Sequence, residues 1–387
     1  MLRNKTILCL SSMNWDFLWT RKQRFMEILS HNDNFVIYVE PIPSLFKKIV
    51  RPEEFDGNEF KIRFINKNLV VVRPPSLLPG MSKFPHVAKI NNIVLIRYLR
   101  SIFNKLCINE SDLIIWNYLH TSGYVLKRLK KKITIYEIVD NIKHYPGVNQ
   151  ALVQKMEKHV LIMSDLIFTT SRTIFNNLQK KVGNKIFYSP NGVNLIDFNN
   201  FNTHSLNNYN LKENERQKII GYVGGIYSWI DLDLIKYIAS KNKDWKVVMI
   251  GPIGKDIDLN TIKNFSNIKL IGKKEKETIP YYIKNFDVCI NPFKLTDLTK
   301  AVNPLKVYEY LACGKPIVSV PMNEILHLKD VIYFADNYEE FVNKIENALV
   351  ENDIEKTNER LKIVKQYDFK KILNDMCFII NNYLEVN

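Results

Sequence analysis

The sequence has no long apolar run. Stretches such as Val247–Ile250 and Val288–Ile290 fall far short of the ~20 residues a membrane-spanning helix needs. The basic N-terminus, MLRNKTILCLSSMNW, holds a four-residue apolar run, Ile7–Leu10. That is too short for the core of an export signal and reads as a first buried strand, so a cytoplasmic location is expected. Paired cysteines are missing as well. The five thiols, Cys9, Cys107, Cys289, Cys313 and Cys377, are odd in number and never spaced as C-x-x-C. This argues against a disulfide framework and against a zinc site. A G-x-G-x-x-G fingerprint is absent too, which weakens a dehydrogenase reading. Acidic charge is scarce in one half only. Residues 1–195 carry 29 Lys and Arg against 14 Asp and Glu, whereas the rest of the chain carries 26 against 26. The whole net charge of +15 thus sits in the first half, which is expected to face something anionic: nucleic acid, an acidic membrane surface or an acidic substrate.

What is present fits a globular protein of two domains. The chain has 387 residues, 46% of them hydrophobic and 25% charged, more than one core usually organises. In the first half, the strand-like segments KTILCLSS, NFVIYVEP, SDLIIWNY, KITIYEIVD, SDLIFTTS and NKIFYSPNG alternate with helix-length segments. Short apolar runs between amphipathic helices indicate a parallel sheet covered on both faces. Residues 46–85 are less regular and read as short strands and loop. The polar, Asn-rich stretch at 192–216 marks a boundary, after which KIIGYVGGI, WKVVMIGP, NIKLIGKK, FDVCINPF, KPIVSVP and VIYFA restart the alternation. The expected organisation is an α/β protein with two doubly wound domains, 1–195 and 216–365. A final helix at 366–387 is expected to pack back across the junction.

Three stretches can carry chemistry. After the strand IIGYV come Gly224 and Gly225, which would let the backbone approach a phosphate or simply make a tight turn. Asp231 and Asp233 formally resemble an Asp-x-Asp metal site, but they stand where a helix begins and suit an N-cap. The third stretch is NPLKVYEYLACGKPIVSV, residues 303–320. Asn303 suits an N-cap, Pro304 the first turn and Gly314 the C′ position. Lys306 then lies in the first turn, where the helix dipole disfavours a cation, and Glu309 follows at i+3. The pair reads either as a surface ion pair or as an anion site with a carboxylate offered to a ribose.

The same stretch resembles the donor-site segment of GT-B glycosyltransferases. The order of SPNGVN at the crossover, GYVGG opening the second half, and NIKLIGKKEKETIPYYIKNFDVCINPF before the helix is similar to that family. The opening NWDFLWTRKQRFMEILS…FVIYVEP narrows the resemblance to bacterial teichuronic-acid glycosyltransferases and the xanthan glucuronosyltransferase. It implies a GT-B architecture of two Rossmann-like domains facing a central cleft, a nucleotide-sugar donor (a UDP-sugar) and a surface-polysaccharide or lipid-linked glycan acceptor. No metal cofactor is implied. Residue by residue, Lys306 would bind the donor diphosphate and Glu309 the ribose or base. Leu305 would lie near the nucleobase, and Gly224 and Gly225 would admit the phosphate. One departure stands out: retaining members carry Glu-x7-Glu, but the position eight before Glu309 is Ala301. The missing carboxylate favours the inverting relatives.

An inverting transferase needs a general base. Asp140 ends the strand ITIYEIVD, where functional groups gather in doubly wound sheets, and it also loosely matches the base of the xanthan-type enzyme; alternatively it caps the next segment. Glu137, three residues earlier on the strand, is expected to face the other way. His144, His120 and Asp16 are weaker candidates. The segment SKFPHVAKINNIVLIRYLRSIFNKL reads as a basic amphipathic helix, either at an anionic membrane or with one face in the core. Lys127–Lys132 (KRLKKK) adds to that positive surface. A sugar-nucleotide epimerase and a non-catalytic nucleic-acid-binding protein are the rival readings; no nucleic-acid motif supports the latter.

Overall fold

The computed structural model describes residues 1–43, 62–75, 77–80, 84–145, 147–199, 209, 211–255 and 257–386. Of the less regular region at 46–85, residues 46–61, 76 and 81–83 lie outside the described residues, and the short strands expected there are found at Ile62–Asn66 and Leu69–Val72. The chain divides into two compact units, Met1–Ser189 with Leu373–Asn387, and Pro190–Ile372. Among the described residues no helix is long and apolar enough to cross a membrane.

The first unit is built on eight strands: β1 (Thr6–Leu10), β2 (Phe35–Val39), β3 (Ile62–Asn66), β4 (Leu69–Val72), β5 (Leu113–Asn117), β6 (Ile133–Ile138), β7 (Leu166–Thr169) and β8 (Ile186–Tyr188). They lie in the order β3-β4-β2-β1-β5-β6-β7-β8. All neighbours are parallel except β3 and β4. Strands β4, β5 and β6 are buried along their whole length, as uninterrupted apolar runs covered on both faces should be. The antiparallel edge strand β3 is exposed instead. Strand order reverses at the β1/β5 pair: β2 and β4 extend to one side and β6 to β8 to the other. Such a switch point leaves an open crevice at the strands' carboxyl ends.

The second unit repeats this plan with six parallel strands. They are β9 (Lys218–Val223), β10 (Trp245–Ile250), β11 (Ile268–Gly272), β12 (Val288–Asn291), β13 (Ile317–Ser319) and β14 (Tyr333–Phe334). Their order is β11-β10-β9-β12-β13-β14, so the switch point falls between β9 and β12. The helix Leu305–Ala312 packs Val307, Tyr308, Tyr310, Leu311 and Ala312 into this unit's core. Truncating a side chain such as Leu311 to Ala would cost about 2–5 kcal/mol. The helix ends in a Schellman motif: Gly314 has φ +67°, its N–H donates to the Leu311 carbonyl at 2.9 Å, and the Lys315 N–H donates to Tyr310 at 3.2 Å.

The start of this helix differs from the sequence expectation. Pro304, not Asn303, occupies the N-cap, with φ −76° and ψ 108°. The first helical bond is accepted by the Pro304 carbonyl, from the Val307 N–H at 3.1 Å, while the Asn303 carbonyl is engaged instead by Asn191 Nδ2 at 2.8 Å. The helix therefore begins only after the proline.

Candidate active site

In the second unit, glycines crowd the carboxyl ends of β9, β10 and β11. Gly224 has φ +148° and Gly251 φ +150°. A Cβ on Gly251 would lie 2.0 Å from the Gly224 carbonyl oxygen, and one on Gly224 would lie 2.6 Å from Lys306 Cε. Only glycine fits these two positions, so the Gly224 backbone lies directly against the Lys306 side chain. The helix is moored there by Tyr310, whose buried hydroxyl accepts the Val223 N–H at 2.8 Å.

Lys306 is partly buried at the first turn of its helix. Its Nζ lies 4.9 Å from the centre of the Phe293 ring and 5.4 Å from that of Tyr222. Among the described residues it has no ion-pair or hydrogen-bond partner. Desolvation pushes its pKa down from 10.5 to about 8, only partly opposed by the charge of Glu309. A cation at a helix N-terminus, resting on aromatic faces and lacking a direct partner, is in a costly position unless an anion joins it. The amides of Leu305 and Lys306 precede the helix's first hydrogen bond, which runs from Val307 to the Pro304 carbonyl at 3.1 Å. The structure thus brings Gly224, Leu305 and Lys306 together, with Gly225 next in the turn and Glu309 one helical turn on. Asn303 is buried just before the helix. Ala301 is buried at 2% exposure and brings no carboxylate.

Asp231 is an N-cap. Its Oδ1 accepts the N–H groups of Asp233 and Leu234, both at 3.1 Å, while Asp233 pairs with Lys236 at 2.6 Å. Sequence reasoning passed over Tyr222 and Phe293, the aromatic bed of Lys306, because buried aromatics look alike in a sequence. It also passed over Gly251 and Gly272. Their signal was available: Gly251 follows an apolar strand as Gly224 does, and Gly272 closes one.

In the first unit, Asp140 lies just beyond the carboxyl end of β6, partly buried. It does not cap the following turn, and its carboxylate has no hydrogen-bond or ion-pair partner among the described residues. Burial raises its pKa, and the charge of Lys22 lowers it in part. Glu137 and Asp140 both line a pocket with Lys22, Tyr118 and Ser12. Glu137 is fully engaged in the interior, 2.5 Å from Arg21 Nε and accepting the Trp116 indole N–H at 2.6 Å. Of the weaker candidates, Asp16 pairs with Arg63 at 2.6 Å on the surface. His120 has its imidazole pKa lowered by burial.

Comparison with known proteins fits this geometry. Residues 217–351 match the family model of glycosyl transferases group 1, and the fold is that of GT-B glycosyltransferases. The matched residues lie within the second unit. TuaH of Bacillus subtilis (strain 168), named for teichuronic acid biosynthesis as a glycosyltransferase, is 24% identical over 229 residues. That match spans 56% of this chain and 57% of the relative. Sucrose-phosphate synthase from Thermosynechococcus elongatus shares the fold at TM-score 0.73 and 13% identity, covering 99% of this chain and 100% of that one. An E. coli trehalose-6-phosphate structure bound with UDP-2-fluoro glucose gives 0.69 at 12% identity, covering 97% and 98%. Anabaena HepE in complex with UDP and glucose gives 0.66 at 12% identity, covering 97% and 99%.

Proposed function

We propose that this protein transfers a sugar from a nucleotide-sugar, a UDP-sugar, to a surface-polysaccharide or lipid-linked glycan acceptor, with inversion at the anomeric carbon. The observation that carries the reading is the Lys306 ammonium, partnerless at a helix start and pressed against the Gly224 turn. A diphosphate supplies the anion this arrangement lacks. UDP accords with the neighbours bound to UDP and UDP-2-fluoro glucose, and a glycan acceptor accords with the name of TuaH. Inversion accords with Ala301 in place of a carboxylate.

In the proposed reaction the acceptor hydroxyl attacks the anomeric carbon and gives its proton to Asp140. The bond from that carbon to the diphosphate breaks, and the leaving oxygen keeps the electron pair. Lys306 and the first amides of its helix meet the new negative charge, as fixed donors in a preorganised site do. Glu309 is assigned to the ribose or base and Leu305 to the nucleobase side. No metal is needed in this scheme. The basic first half, with Lys89, Arg97 and Arg100 exposed on the Pro85–Lys105 helix, is assigned to the inner face of an anionic membrane.

A thermal-shift panel of UDP-, GDP-, ADP- and dTDP-glucose, run with and without chelator, tests the donor site. One nucleotide is expected to stabilise the protein by mass action in either condition, and Lys306→Ala to abolish the shift. No shift with any nucleotide, or an unaltered shift in the variant, would contradict the reading.

A further inference from the structure

Beyond the donor site, one pocket of the first unit is lined by two opposite charges, Lys22 and Asp140. The helix Arg21–Ser30 opens with three cations, Arg21, Lys22 and Arg24, where its dipole disfavours positive charge. Two of them are accounted for. Arg21 is paired with Glu137, and Arg24 lies 3.3 Å from Glu27 with its guanidinium over the Trp19 ring. Lys22 is not. Its residue is only 6% exposed, yet among the described residues it makes no hydrogen bond and no ion pair; its ammonium lies 5.6 Å from the centre of the Tyr118 ring. It lines the pocket at the β1/β5 switch point together with Asp140, which is equally without a direct partner.

The pocket's chemistry selects what fits there. A buried ammonium holds three donors and needs oxygen acceptors. An anionic group would meet the Asp140 carboxylate beside Glu137, and a cationic one would meet Lys22. A neutral hydroxyl satisfies both sides at once, since it accepts from the ammonium and donates to the carboxylate. We infer that this pocket seats the sugar-accepting hydroxyl, held between Lys22, which donates to its oxygen, and Asp140, which takes its proton. Lys22 is then an acceptor-binding residue that also stabilises charge building on the attacking oxygen. The proton passes from the hydroxyl to Asp140, the new bond forms to the anomeric carbon, and the nucleoside diphosphate departs. This inference rests on the glycosyl-transfer reading above.

The test uses the full-length chain, Lys22→Met and Lys22→Arg. Three quantities are measured: unfolding temperature, binding of the four nucleoside diphosphate glucoses, and release of nucleoside diphosphate with water as acceptor from pH 5 to 9. The groups whose charge Lys22 feels are Asp140, Glu137, Cys9 and Arg21, and Asp140 in turn acts on Tyr145. Lys22→Met is expected to bind nucleotide like the wild type, to unfold no earlier, and to release diphosphate at least tenfold more slowly. The acid limb of its rate profile should move to higher pH, because Asp140 loses the cation that lowers its pKa. Lys22→Arg should recover part of the rate. Release at the wild-type rate with an unmoved pH profile would overturn the inference while leaving the donor reading standing, and so would earlier unfolding with release intact. A wild-type protein that binds none of the nucleotides would instead overturn the donor reading, and this inference with it.

Discussion

Raising the pH from 7 to 9 should weaken binding of the donor nucleotide, and Lys306 sets the size of the effect. With a pKa of about 8 in the free protein, the ammonium is about nine-tenths charged at pH 7 and about one-tenth at pH 9. If the diphosphate is bound by the charged form, its affinity falls roughly tenfold over that interval, or ~1.4 kcal/mol. An ordinary lysine near 10.4 would give almost no change. The nucleotide's terminal phosphate, with its second ionisation near ~6, is already dianionic throughout. Calorimetric titration with UDP at half-unit pH steps reads this directly. Lys306→Met should bind more weakly at pH 7 and show no slope, whereas Lys306→Arg should keep a flat profile because a guanidinium does not titrate there. A wild-type affinity constant from pH 7 to 9, or a slope that survives in Lys306→Met, would refute the assignment.

The same physics makes Lys306 a burden on the empty protein. Its folded pKa lies below its unfolded one, so the unfolded chain binds more protons between about pH 8 and 10.5 and stability contributed by this group rises across that window. Lys306→Met should therefore unfold at a higher temperature than the wild type at pH 7 without ligand. Gly251→Ala places a Cβ 2.0 Å from the Gly224 carbonyl at φ +150°; it should cost about 1–3 kcal/mol in denaturant unfolding and lose nucleotide binding through the displaced turn. Arg21→Met leaves Glu137 buried without its cation, and a loss of about 3–5 kcal/mol is expected, with part of it recovered when Glu137→Gln is added. Asp140→Asn should bind nucleotide normally while transfer drops by about 100-fold or more.

Local patterns in the sequence carried much of this structure. Most core strands are short apolar runs, the helix stop at Gly314 needs a left-handed residue, and Lys306 with Glu309 stood out because ordinary packing does not explain that pair at a helix start. Other features depended on contacts no local pattern records. The exposed strand β3 was expected only loosely, as one of the short strands of 46–85, and its antiparallel pairing with β4 is not visible in its own residues. Lys22, in a charged first turn, looks like a solvated residue until the fold buries it near Asp140. Glu137 is a buried carboxylate inside strand β6. Its partner Arg21 sits on a distant helix, and nothing around either residue announces the pair.

The most direct measurement of the central claim is a crystal structure of the protein with a bound nucleoside diphosphate. The account predicts phosphate oxygens over the Gly224–Gly225 turn, with Lys306 Nζ about 2.7–2.9 Å from one of them and the first amides of the Leu305–Ala312 helix directed at the same group. A nucleotide bound elsewhere, or a Lys306 side chain turned away from its phosphates, would contradict it.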